Sequence, residues 1–259
     1  MEQVELGWDE FWAEVYRVKL RDSIECIDDY DRMVAEFCVE VLNLKPRDRV
    51  LDVACGSGSH SIQLAKLGMH VTGFDISGTL IGIAERSSQE AGANVEFYRG
   101  DMREIKFNKQ FQAAVILSHS FGFFNHDENR HVLRLVYESL APKGSLFLDL
   151  MNPYNLPRVQ RTWTRVEGGY LLSEPHVVDA QAGMLRGRPA TFIDEEKGRI
   201  VLMNEDAMAN NDIRLYTAHE IDRLLREVGF TKTQMYGQNK HPKMPYESNS
   251  ERMVVVATR

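Results

Sequence analysis

The chain has 259 residues, 43% of them hydrophobic, with a net charge of −7 and three cysteines. This length suits one α/β domain carrying an insertion, and the apolar content supports a full core. The acidic balance disfavours binding to phosphate backbones, no apolar run approaches the roughly 20 residues of a membrane span, and the spacing of Cys26, Cys38 and Cys55 argues against both a disulfide framework and structural zinc.

The N-terminal stretch MEQVELGWDEFW is acidic and lacks the basic and apolar regions of a signal peptide, so a cytoplasmic protein is expected. Trp8, Phe11, Trp12, Val15 and Tyr16 recur at helical spacing, and a second helical pattern runs from about residue 24 to 44, stopped by Pro46. From residue 49 the pattern alternates. Strands are expected over 49–54, 70–76, 95–100, 113–118 and 145–151, with helices over 60–67, 79–91 and 127–141 between them. Such alternation predicts βαβ units and a mostly parallel, doubly wound sheet. Residues 163–203 read as short strands separated by the turn signals EGG, QAG and EEKG, which predicts an antiparallel insertion. Thr217 and Glu220 form a T-x-x-E capping box for a helix ending at Gly229. Two strands, 230–236 and 252–258, close the chain, and the long polar loop between them is of a kind that is more often functional than accidental.

LDVACGSGSH, residues 51–60, carries an apolar run into Gly56 and Gly58 and on to a helix, as a nucleotide-binding turn does. A phosphate-binding G-x-x-x-x-G-K-[ST] loop needs a lysine that is absent, and a dinucleotide fingerprint needs a third glycine where Ser61 stands. Asp52 beside a pyrophosphate would also be repulsive. A ligand with cationic groups and no phosphate, such as S-adenosylmethionine, accommodates that acid, and backbone N–H groups after Gly58 would face its carboxylate. Asp75 ends the next strand and suits two ribose hydroxyls, with Ile76 against the adenine. Asp101 ends the third strand, placed to accept from the adenine amino group.

Together VLDVACGSGSHSIQLAKLG, GFDIS, GDMRE and APKGSLFLDL resemble the ordered motifs of class I S-adenosylmethionine-dependent methyltransferases. The likeness covers roughly residues 45–151 and 213–258. It implies a Rossmann-like sheet of seven strands, the last antiparallel between the fifth and sixth. It implies cofactor contacts at Asp52, Ala54, Cys55, Gly56, Gly58, Asp75, Ile76, Asp101, Met102 and Ser118, with S-adenosylhomocysteine as product. It also implies N-terminal helices over the cofactor (1–45), a core of 46–155 and 213–259, and a substrate-covering insertion at 156–212.

Methyl transfer requires alignment above all, and a base only where the acceptor's proton leaves in the transition state. His119, after the fourth strand, is the candidate base. Tyr16, Phe123, Tyr154 and Trp163 are candidates for an apolar substrate wall, and Arg214 with Tyr216 for an anionic group. MNPY at 151–154 is expected to be a turn. The expected activity is methylation of an O, N or C atom of a small molecule. Nucleic acid is not the expected partner, no metal is implied, and a homodimer is one option for assembly. The alternatives are methylation of a protein or tRNA and a non-catalytic sensor of the cofactor.

Overall fold

The segment RVLDV forms a central strand because all of it except Arg49 is buried, as parallel strands covered on both faces must be. The computed structural model describes residues 1–22, 24–156, 164–166, 170–173, 176–187, 190–195, 197–204 and 212–259; the side chains of 16–28 and 164–173 lie outside the description. The elements in chain order are β1 (Glu2–Leu6), α1 (Trp8–Asp22), α2 (Ile24–Val41), β2 (Arg49–Val53), α3 (Ser59–Lys66), β3 (His70–Asp75), α4 (Gly78–Glu90), β4 (Val95–Arg99), β5 (Phe111–Ile116), α5 (His126–Ser139) and β6 (Leu140–Met151). The short strands β7 (Thr164–Val166), β8 (Tyr170–Ser173), β9 (His176–Asp179), β10 (Met184–Gly187), β11 (Thr191–Asp194), β12 (Arg199–Met203) and β13 (Ile213–Arg214) follow, and then α6 (Ala218–Val228), β14 (Lys232–Tyr236) and β15 (Arg252–Thr258).

Seven strands make the main sheet in the order β14-β15-β6-β5-β2-β3-β4. Five neighbouring strands from β6 to β4 run parallel, and β15 lies antiparallel between β6 and β14. This is the doubly wound α/β arrangement that the resemblance implied. One face is packed by α5 and α6, with Leu133, Val136, Ile221 and Leu224 in its core. The opposite face meets α2 and α3, with Phe37, Cys38 and Leu64 at the contact. Burying these two faces removes most of the domain's apolar surface from water, the main favourable contribution to folding.

Helix starts follow local chemistry. Thr217 and Glu220 form the expected reciprocal capping box on α6. α5 begins one residue before the sequence expectation, because Asn125 accepts from Glu128 N–H while Glu128 reaches back to Asn125 N–H. It also ends earlier, and β6 begins at Leu140 instead of 145, since Leu140 pairs with Phe111 across a register shift.

The insertion is antiparallel within itself but is not self-contained. Its larger sheet runs β1-β12-β11-β8-β7, and β1 from the chain's start lies parallel on β12. Sequence periodicity gave no strand there. The smaller sheet is β13-β10-β9. Helix α1 seats Phe11 and Val15 on Phe192, Val201 and Met203 of the larger sheet. On its other side Asp9 accepts from Ser77 and, at 3.0 Å, from the Thr79 hydroxyl. Cover and core are thus joined through α1. Among the described residues no helix is long and apolar enough to cross a membrane.

Candidate functional site

At the carboxyl ends of β2, β3 and β4 the chain leaves the sheet and opens a cavity of about 920 Å³. That is where ligands bind in open α/β sheets. The glycine turn after β2 forms its floor. Ala54 and Cys55 donate their N–H groups to Phe74 O, and Gly56 donates to Asp75 Oδ2 at 2.8 Å. Gly56 has φ +54°, and a Cβ there would meet nothing within 4 Å, so its bare backbone faces open space. Gly58 has a different duty. It caps α3 at φ +80°, and a Cβ there would lie 2.8 Å from both Ala84 and Phe97. It permits close packing and does not line the cavity.

Three acids stand at the three strand ends, each held differently. Asp52 is 2% exposed and accepts from Ser61 Oγ at 2.6 Å. Burial pushes its pKa up to about 6, opposed by the Ser61 hydrogen bond and by His60. Asp75 takes the N–H groups of Gly56 and Ser77, one on each oxygen, and burial raises its pKa. Each oxygen keeps a lone pair for a hydroxyl. Asp101 is more open and is gripped by Arg103, whose Nη2 lies 2.6 Å from Oδ2; that grip lowers its pKa. Arg103 also pairs with Glu128 and stacks on Phe124 at 4.4 Å, so Asp101 meets the cavity already neutralised. Ile76 is 55% exposed at the rim, an apolar surface for a flat ring. Cys55 lines the floor, and burial raises its pKa, leaving a protonated thiol of low reactivity.

The far wall is aromatic. Trp8 and Trp12 of α1 line the cavity with Phe123 and Phe124, together with Met151, His176, Ala190 and Ile213 from the β6 end and the cover. His176 makes no hydrogen bond among the described residues, and sequence reasoning did not single it out; only its place on the covering strand β9 could have.

His119 borders the cavity, but in a fixed state. Ser118 and His119 have left β5 and adopt φ +52° and +63°, two residues sooner than the expected strand end. Arg252 Nη1 sits 3.0 Å from His119 Nε2 and 2.8 Å from Asp149 Oδ2. A guanidinium has donors only, so Nε2 accepts and the proton of the neutral ring is on Nδ1. Nδ1 is buried and has no partner among the described residues. Burial lowers the His119 pKa to about 4. A ring whose lone pair is engaged by arginine is not free to take a proton, and this geometry argues against the expected role of base. Behind it, Asn239 donates to Asp149 at 3.0 Å and to Tyr30 at 3.0 Å. The long loop is therefore a buttress. Asn152 and Asn155 hold its Ser248 and Ser250 carbonyls, and MNPY is the expected turn.

Other expected substrate residues lie elsewhere. Arg214 Nη1 donates to the Ala182 and Gly183 carbonyls and Nη2 pairs with Glu220, so its charge is already engaged. Tyr216 is 3% exposed, with its hydroxyl accepting from Asn129. Tyr154 is 58% exposed on the outer surface of its turn, away from the cavity. Of the other two, the Tyr16 side chain and the whole of Trp163 lie outside the described residues. Asp52, Ala54, Cys55, Gly56, Asp75, Ile76, Asp101, Met102, Ser118, His119 and Phe123 do converge on the cavity.

Sheet order, glycine turn and strand-end acids define a Rossmann-like site for an adenosine-bearing ligand with a cationic tail. Residues 50–144 match the family model described as a methyltransferase domain. A glycine/sarcosine N-methyltransferase of Aphanothece halophytica is 28% identical over 239 residues, 89% of this chain and 81% of that protein. An S-adenosylmethionine-dependent methyltransferase from Clostridium acetobutylicum superposes with a TM-score of 0.72 at 17% identity, over 96% of this chain and 98% of the other. The S-adenosylmethionine-bound amino pentose methyltransferase CalS10 from Micromonospora echinaspora gives 0.66 at 20% identity over 96% of each chain. Residues 50–144 thus match a methyltransferase domain on a chain with the fold of S-adenosylmethionine-dependent methyltransferases, and S-adenosylmethionine is the cofactor that this likeness implies. The bare Gly56 backbone, the free lone pairs of Asp75 and the exposed Ile76 all fit that group.

Proposed function

We propose that the protein transfers the methyl group of S-adenosylmethionine to an amine nitrogen of a small molecule. The observation that carries this reading is one continuous cavity, lined by acids and by aromatic rings, with the bordering His119 ring held by Arg252. The cofactor supplies an activated methyl whose bond to sulfur breaks as the bond to the acceptor forms. The chain's part is alignment, which can contribute up to roughly 7–11 kcal/mol of barrier lowering. Trp8, Trp12 and Phe123 exclude water and orient the acceptor, leaving the lone pair of its nitrogen free to meet the methyl. A neutral amine needs no base in the transition state, and its proton leaves afterwards. Two relatives named for glycine or sarcosine and for an amino sugar support a nitrogen acceptor. The setting proposed is cytoplasmic, and the acidic charge favours a small partner over nucleic acid.

A second reading rests on His176. An imidazole in the cavity with no hydrogen bond among the described residues is a candidate to take the proton of a hydroxyl acceptor. Incubation with deuterated-methyl S-adenosylmethionine and a metabolite extract, followed by mass spectrometry, decides between them. An N-methyl product supports the proposal, and an O-methyl product moves the role to His176. No labelled metabolite, with label in the protein or RNA fraction, overturns the small-molecule assignment.

A further inference from the structure

Asp31 is an acid in the cavity that the mechanism above does not use. It belongs to α2, is 5% exposed, and lines the same cavity. His60, in the first turn of α3, places Nε2 3.2 Å from Asp31 Oδ1. An ionised carboxylate only accepts, so Nε2 carries the proton and holds Asp31 in one orientation. Asp31 Oδ2 is buried and has no hydrogen-bond partner among the described residues. A buried carboxylate oxygen without a donor or cation is unfavourable, and natural sites fill such positions with a ligand or water. Asp52 lies across the same corner, one oxygen held by Ser61, and its ionisation is opposed by the charge of Asp31. Two carboxylates near one another, each with one oxygen committed, leave a place for a small cation. Among the described residues no lysine or arginine of the cavity lining reaches it: Arg99 donates to Ile76 O, and Arg103 is committed to Asp101 and Glu128.

We propose that Asp31 is the receptor for the ammonium group of the cofactor's amino acid end, with Asp52 as the second carboxylate and His60 as the residue that orients Asp31. The proposal rests on S-adenosylmethionine being the cofactor. The sulfonium charge disappears on methyl transfer, but the ammonium persists in the product. Asp31 therefore contributes uniform binding, holding substrate and product forms alike without lowering the barrier. Its loss weakens affinity for both forms by a similar factor.

Calorimetric titration with S-adenosylhomocysteine and with its deamino analogue tests this without any methyl acceptor. The wild type binds the amino form more tightly, and Asp31→Asn lowers affinity for it about tenfold or more while changing the analogue less than about twofold. Equal losses for both probes, or none for either, overturn the proposal. Asn keeps the shape and still accepts from His60; if that variant does not fold, Asp31→Ser is titrated with the same pair. Equal affinity of the wild type for the two probes also overturns the proposal. Failure of both to bind the wild type overturns the cofactor assignment itself, and the proposal with it.

Discussion

The two ends of the cavity are built on different principles. At the strand ends, each acid is fixed by partners close to it along the chain: Asp75 by the backbone of Gly56 and Ser77, Asp52 by the Ser61 hydroxyl, Asp101 by the side chain of its near neighbour Arg103. The aromatic end is assembled from Trp8, Phe123, Met151, His176 and Ala190, which are far apart in sequence and meet only when α1, β6 and the cover dock. The first arrangement suits a ligand that does not vary. The second lets acceptor choice change through the cover without disturbing the core.

The largest break in this comparison is expected where the two ends meet. Arg252→Met leaves Asp149 buried without its cation, and stability should fall by about 3–5 kcal/mol, read as a lowered midpoint in urea. Imidazole tautomers sharpen the point: ¹⁵N spectra of the wild type should show His119 protonated on Nδ1 and neutral from pH 5 to 8, and an Nε2–H ring would refute the donor assignment. Next, Asp75→Ala removes the anchor of Gly56 together with a charged acceptor, so cofactor affinity should drop roughly tenfold or more by a binding titration.

Asp52 separates stability from binding. Its pKa is raised to about 6, so the folded, ligand-free chain holds a proton there more tightly than the unfolded chain does, and stability falls as pH rises between about 4 and 6. Asp52→Asn should therefore stabilise the free protein at pH 8 by on the order of 1–3 kcal/mol while weakening cofactor binding. In the wild type, cofactor affinity should rise as pH passes upward through about 6, because a cationic ligand favours the ionised carboxylate. The smallest effect is expected at Arg214: Arg214→Met should cost about 1 kcal/mol of stability and leave the KM for the acceptor unchanged.

The same division explains what the sequence disclosed. The core strands, the capping box of α6 and the acids at 52, 75 and 101 were legible because local patterns mark them, and the strand order because the motifs resemble a known family. His119 was found by position, but its environment was not legible, since the arginine that holds it lies 133 residues away. Arg214 and Tyr216 looked like pocket residues because their segment leaves the insertion. The carbonyls of residues 182 and 183 and the side chain of Asn129, which occupy them, carry no sequence signal. Asp31 and His176 passed unnoticed for the complementary reason: each belongs to an ordinary amphipathic stretch and acquires a role only through docking.

The pairing of β1 with β12 sets an order of assembly. Glu2 and Arg199 are neighbours in space but about 200 residues apart along the chain, whereas β2 to β6 find one another over much shorter distances. Long loop closures come late and slowly. During synthesis, β1 leaves the ribosome before every other described strand and waits for β12 while the intervening chain is made. The strands that carry the cofactor floor, β2 to β5, are therefore all made before β12 exists to pair with β1 and complete the roof.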